Sequence, residues 1–192
     1  MIKKKIFIFF IFSSFLVSSN ISLADIQKRL INKITATKTL SFTFKQKIAE
    51  DIETGNCVIK YPLLMKCNYK NLKQKSIIAN GKSLAIIKKK YKKIYYYPIR
   101  LTAFSIILQK GKILNLIRNN RPTKLDSNVV EFQLIDAKAN NIKIFFDKNS
   151  LNLKGWETKD SYSNNVSFLI SNIEINKVID DSFFKIPLEK DL

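Results

Sequence analysis

Apolar residues change their spacing several times along this chain, and each change marks an element. Ile26, Leu30 and Ile34 recur every four residues among Gln27, Lys28, Arg29, Asn32 and Lys33. That period predicts a short amphipathic helix over residues 25–37 with one narrow apolar stripe, and Asp25 can cap its first turn if the chain is cut before it. From Leu40 the period becomes two: Leu40, Phe42 and Phe44 alternate with Ser41, Thr43 and Lys45. Strand patterns then follow at residues 57–60, 64–69, 76–79, 83–88, 92–97, 129–137, 142–146, 151–158 and 166–173. Turn residues separate them at Tyr61-Pro62, Asn80-Gly81, Lys148-Asn149-Ser150 and Ser163-Asn164-Asn165, so an antiparallel meander is predicted.

One stretch interrupts the strands. Pro98 ends a strand, and residues 102–109 read as a short helix capped by Thr102 and stopped by Gly111. A sheet with one solvated face must cover the other. Two short helices cover it in part, so the pattern leaves two readings open, an ordinary filled core or an apolar hollow under the helices.

The N-terminus has the form of a secretory signal peptide. Lys3, Lys4 and Lys5 precede an apolar run from Ile6 to Val17, and Ser22 and Ala24 are small residues placed for cleavage before Asp25. That run is too short for a spanning helix of roughly 20 residues. The expected organisation is a cleavable leader, residues 1–24, followed by a single domain, residues 25–192.

Charge narrows the partners. The chain has 34 Lys and Arg, three of them in the leader, against 15 Asp and Glu, which leaves +16 after cleavage. Such an excess fits nucleic acid by counterion release, but export argues against that partner, and no nucleic acid is expected. An anionic membrane surface or an acidic protein fits better. The densest basic feature, Lys88, Lys89, Lys90, Lys92 and Lys93 around Tyr91, reads as a solvated hairpin tip or as a contact for such a surface.

Candidate chemistry is sparse. The chain has no histidine, which removes Ser-His-Asp and Cys-His nucleophile systems and the commonest zinc ligand. No enzyme, metal or cofactor is expected. Cys57 and Cys67 lie symmetrically about Pro62, and a register centred on that turn sets Cys57 opposite Cys67 and Ile59 opposite Met65. Two readings stand for the cysteines, a cross-strand disulfide in an oxidising compartment or two small apolar wall residues.

In order and spacing, these features resemble the LolA family of periplasmic outer-membrane lipoprotein carriers. The resemblance rests on Phe42-Thr-Phe44-Lys-Gln46, Gly55-Asn-Cys-Val-Ile59-Lys60-Tyr-Pro62, Asn68-Tyr69 and Asn80-Gly81-Lys82. It continues through Thr102-Ala-Phe104, Leu153-Lys-Gly-Trp156-Glu-Thr-Lys-Asp160 and Asn176 to Pro187. It implies a mainly β (α+β) fold: an unclosed, strongly curved antiparallel half-barrel whose short helices lid an apolar cavity. It also implies a monomeric periplasmic chaperone, taking acylated lipoproteins from an inner-membrane ATP-binding-cassette release complex to an outer-membrane receptor or to the anionic membrane surface.

By matched position the resemblance places Ile34, Phe42, Phe44, Ile59, Met65, Cys67, Tyr69, Phe104, Ile107 and Trp156 on the acyl-chain cavity, with Phe183-Phe184 and Pro187 pinning the end of the domain to the sheet. Lys60 and Tyr61 take the lid and transfer position, where the family usually has Arg before the turn proline. Two alternatives of other kinds remain, a lipid- or peptide-sensing adaptor on the same half-barrel and an exported polyanion binder using the lysine hairpin.

Overall fold

The computed structural model describes residues 22–135, 141–160 and 162–192. The expected leader therefore falls outside the described residues except for residues 22–24, as do residues 136–137 of the expected strand 129–137. The first helix, α1, runs Leu23–Ala36. Ser22, not Asp25, is its N-cap: the Asp25 N–H donates to Ser22 Oγ at 3.1 Å. With Ser22 present one turn upstream, Asp25 falls in the first turn, where a carboxylate suits the positive end of the helix.

Six strands follow in sequence: β1 Thr39–Ile48, β2 Asp51–Lys60, β3 Leu64–Tyr69, β4 Lys75–Asn80, β5 Ser83–Lys88 and β6 Lys93–Pro98. Helices α2 Phe104–Ile107 and α3 Lys110–Asn119 interrupt them. The second half contains β7 Lys124–Leu125, β8 Val129–Ile135, β9 Asn141–Asp147, β10 Leu153–Lys159 and β11 Asn165–Ile175. All eleven join one antiparallel sheet in the order β6-β5-β4-β3-β2-β1-β11-β10-β9-β8-β7. The sheet does not close: β6 and β7 are its two edges. Side chains from one face, contributed by strands across this width, meet in a single apolar cluster with α1, α2 and α3. Only a sheet curved around its contents achieves that.

The second lid helix corrects an expectation. Gly111 does not stop a helix over residues 102–109; it lies in the first turn of α3, where a Cβ would meet nothing within 4 Å. Ile113, Leu116 and Ile117, at helical spacing, turn inward and are buried. The extra helix fills the space that two short helices leave open.

A smaller apolar cluster, Ile78, Ala85, Ile87 and Ile94, lies on the opposite face of β4, β5 and β6, with Ile186 and Leu192 packed against it. The segment after β11 thus straps the outside of the sheet. Phe184 is buried there, and Lys66 Nζ lies 4.6 Å from the centre of the Phe183 ring.

Candidate functional site

The inner face carries a row of aromatic rings. Phe104 of α2 meets Trp156 of β10 edge-on, and Trp156 stacks on Phe168 of β11 with centroids 4.2 Å apart and planes 9° from parallel. Phe168 stacks in turn on Phe44 of β1 at 4.6 Å, Phe42 meets Phe168 edge-on, and Phe44 meets Tyr69 of β3 edge-on at 4.9 Å. Offset and edge contacts of this kind suit the ring quadrupoles. Tyr69 closes the row with its hydroxyl donating to Gln46 Oε1 at 2.7 Å, and burial raises its phenol above the ordinary range.

Two glycines make the row fit. At Gly55 a Cβ would overlap the Asn68 carbonyl oxygen and stand 2.6 Å from Phe44 Cζ, so only glycine lets the Phe44 ring cross β2. Gly155 sits at φ +151° where the pairing of β10 with β9 shifts register, which turns Trp156 onto Phe168.

The expected wall residues come together here, but the hollow does not. Ile59, Met65 and Ile107 are completely buried; Phe42, Phe44, Cys67, Tyr69 and Trp156 are nearly so, and Ile34 and Phe104 are half-buried. Side chains fill the concave face because α3 adds Ile113, Leu116 and Ile117 to it. Among the described residues, a cleft of ≈ 30 Å³ lies where Ile34, Tyr61, Ile113 and Leu151 meet. That is about one water molecule and far below an acyl chain.

Few polar bonds hold the lid. Leu63 N–H, in the turn between β2 and β3, donates to Leu108 O at 3.0 Å. Lys110 Nζ donates to Thr35 O at 3.1 Å and Thr37 O at 2.9 Å, at the negative end of α1, and lies 5.7 Å from the centre of the Tyr61 ring. Gln27 Nε2 bridges to Ile117 O and Asn120 O, both at 2.9 Å. Burial pushes the Tyr61 phenol upward too, and its ring faces the cation that Lys110 brings from the lid side.

Lys60 is placed differently. Its Nζ donates to Ile179 O at 2.7 Å and pairs with Asp181 at 2.5 Å, so it anchors the strap, not the lid. Strand alternation explains the split, because Lys60 and Ile59 point to opposite faces. Cys57 faces Cys67 and Ile59 faces Met65 across β2 and β3, and the two cysteines are joined as a disulfide. Lys88, Lys89, Lys90, Lys92 and Lys93 surround the β5–β6 hairpin tip, outside the core.

Phe168 and the three apolar residues of α3 were not anticipated as site residues. Their signals were present in the sequence, Phe168 in the alternation of residues 166–173 and α3 in the spacing of Ile113, Leu116 and Ile117.

Among solved structures the chain is similar to an uncharacterized conserved protein from Thermus thermophilus, at 7% identity and TM-score 0.52, covering 86% of this chain and 95% of that one. It is also similar to a LolA superfamily protein from Nitrosomonas europaea, at 9% identity and TM-score 0.45, covering 86% and 98%. A putative outer membrane lipoprotein-sorting protein domain from Vibrio parahaemolyticus matches at 9% identity and TM-score 0.44, covering 84% and 94%. No curated protein matches the sequence. The model of the family described as outer membrane lipoprotein carrier protein LolA matches residues 35–187, from the end of α1 through the strap. The chain belongs to the LolA family.

Proposed function

We propose that this chain is a periplasmic carrier that takes acylated lipoproteins from an ATP-binding-cassette release complex in the inner membrane to the outer membrane, delivering them to a receptor or to the anionic membrane surface. Family membership supports a carrier or binding role over an enzymatic one. The observation that carries the reading further is the lid. A continuous aromatic face lies under helices that meet it through apolar side chains such as Ile107, Ile113 and Ile117 and through the ring of Phe104 on Trp156, with few polar bonds at the margin, so acyl chains can take the place of those side chains.

Lifting α2 and α3 exposes that face, and acyl chains replace the lid side chains on it. Each buried CH₂ is worth about 0.8 kcal/mol, so two or three acyl chains together offset the apolar burial that α2 and α3 lose on opening, while closure of the empty carrier favours release. Transfer between membranes requires no covalent step.

The test is mass spectrometry of what co-purifies with the protein from the periplasm of a cell making its own lipoproteins, beside a Phe104→Glu variant checked for folding by circular dichroism. Triacylated lipoproteins on the first and at least tenfold less on the second are expected. Absence of acylated cargo from the folded wild-type protein overturns the reading.

A further inference from the structure

At the end of the sheet opposite the Tyr61–Leu63 turn, two turn tips lie side by side. One joins β3 to β4 and carries Lys70, Leu72 and Lys73; the other joins β5 to β6 and carries Lys89, Lys90, Tyr91 and Lys92. They are tied together by the Lys89 N–H, which donates to Gln74 O at 3.4 Å. Each tip lifts one apolar residue into solvent: Leu72 is 89% exposed and Tyr91 53%.

A single exposed Leu needs no explanation. Here both apolar tips are ringed by lysines on adjacent turns of one sheet. Behind them the strand ends add Lys75, Lys88 and Lys93. Lys75 is paired with Glu53, whereas Lys73, Lys89, Lys90 and Lys92 are exposed to solvent. An open groove running from the tips toward the strap is lined by Lys66, Lys70, Lys75, Lys89 and Lys185, with Asp191 the acid among them. The acids beside the tips are engaged: Glu53 accepts from Asn71 Nδ2 at 2.8 Å and pairs with Lys75, Glu189 Oε1 accepts from the Ile94 N–H at 2.9 Å, and Glu50, in the turn between β1 and β2, is paired with Lys47 at 3.5 Å. Along β6, Tyr95, Tyr96 and Tyr97 are all partly exposed, and Lys88 Nζ lies 5.2 Å from the centre of the Tyr95 ring.

We propose that these two tips dock the protein on an anionic phospholipid bilayer, with Leu72 and Tyr91 entering the headgroup boundary and the surrounding lysines meeting lipid phosphates. The chemistry is that of a reversible peripheral contact. Lysines near an anionic surface strengthen binding about fivefold each, apolar and tyrosyl tips add burial that soluble polyanions cannot supply, and lysine stems lie along the boundary with their charges outward. A polyanion would use the lysines and ignore Leu72. The docking surface lies away from the lid, so it does not depend on the carrier reading, and it gives that reading a way to hold the lid end free while the protein rests on a membrane.

The test is co-sedimentation of the protein isolated from the periplasm with vesicles of phosphatidylcholine alone or with 30 mol% phosphatidylglycerol, a composition set to about a third anionic lipid. Binding to the anionic vesicles only is expected. It should weaken about a hundredfold in a Lys89→Gln, Lys90→Gln, Lys92→Gln variant and at least tenfold in a Leu72→Gln, Tyr91→Gln variant, which removes the apolar tips without changing the charge. Both changes lie on exposed tips, so unchanged thermal unfolding verifies each fold. No binding to anionic vesicles overturns the proposal. So does binding that the Leu72 and Tyr91 changes leave intact, since that marks a site for soluble polyanions, to be checked with single-stranded DNA. Neither result bears on acyl cargo, which the Phe104→Glu experiment reads separately.

Discussion

Phe104 touches Trp156 edge-on, with ring centroids 6.4 Å apart and planes at 79°, and this is the contact through which the lid reaches the aromatic row of the sheet. Trp156 is the single tryptophan, so its emission reports the latch. In a Phe104→Ala variant the lid loses its ring contact while the sheet keeps its stack on Phe168. The expected loss is about 1–2 kcal/mol, below the cost of a fully buried Phe because Phe104 is half-buried. Emission should move to longer wavelength before global unfolding in urea, whereas a wild-type emission maximum together with wild-type stability would mean that the latch lies elsewhere.

Lys110 holds the start of α3 against the carbonyls of Thr35 and Thr37. Its replacement by Met keeps the stem and removes the charge. Hydrogen exchange at Ile113, Leu116 and Ile117 should then accelerate about tenfold, for a loss of about 1.5 kcal/mol, while β1 and β2 amides stay protected. Equal acceleration across sheet and lid would indicate global destabilisation and not lid opening.

Gly55→Ala tests the close approach of the Phe44 ring to β2. The new methyl group meets the Asn68 carbonyl oxygen and Phe44 Cζ together, and overpacking of this kind costs about 1–3 kcal/mol. A combined Gly55→Ala, Phe44→Leu protein should recover part of that loss, because one of the two obstacles is gone. Denaturant midpoints of the single and double variants measure the coupling.

The Cys57–Cys67 bridge closes a loop with a sequence separation of ten residues between β2 and β3. A loop of this size contributes roughly 2–3 kcal/mol through the unfolded chain. Reduction should lower the urea midpoint correspondingly, and a Cys57→Ala, Cys67→Ala protein should be insensitive to reductant. A wild-type midpoint that reductant leaves unmoved would show that the bridge adds nothing to stability.

Acid stability rests on turn aspartates. Asp147 accepts from Ser150 N–H and from Ser150 Oγ, both at 2.8 Å, and these bonds hold its carboxyl below the usual range. Asp126, beneath the N–H groups of Asn128 and Val129, is held down in the same way. Folded values below the unfolded ones mean that this stabilisation is full above the ordinary aspartate range, about pH 4, and disappears as pH falls through the lowered folded values. Urea midpoints should therefore drop below about pH 4, and Asp147→Asn should flatten part of that slope. For Tyr61 and Tyr69 the sign reverses: their raised values make the contribution full below about pH 10 and lost at higher pH.

Much of the sheet was legible from alternation alone, because one buried face imposes period two on every strand it includes. The pairing of Cys57 with Cys67 was legible too, since a tight turn centred on Pro62 leaves one sensible register. The start of β2 at Asp51 was not. Asp51, Ile52 and Glu53 continue the ladder opposite Ile48, Lys47 and Gln46 through backbone bonds, with little apolar burial to mark them. Helix α3 was hidden by Gly111, whose usual stop meaning does not apply in a first turn, where amides still lack partners.

At the site, the wall residues inferred by resemblance lie in one apolar cluster, but their closeness to Phe168 depends on β11 pairing with both β1 and β10. Long-range pairing of that kind leaves no local trace in sequence. Lys60 gave no sign that it would turn outward to Asp181 until its strand neighbours fixed which face Ile59 took.

The pairing of β1 with β11 also has a temporal meaning. Every other pair of neighbours in the sheet is also consecutive in sequence, so the meanders β1–β6 and β7–β11 can form early from local contacts. The seam between β1 and β11 joins residues such as Phe44 and Ile170 across most of the domain, and it completes the stack of Phe44 on Phe168. A chain synthesised N-terminus first holds the first six strands with a half-built apolar face until the eleventh arrives. That interval is when the nascent protein most needs protection from aggregation, and slowing the arrival of β11 should lower its yield without altering the finished fold.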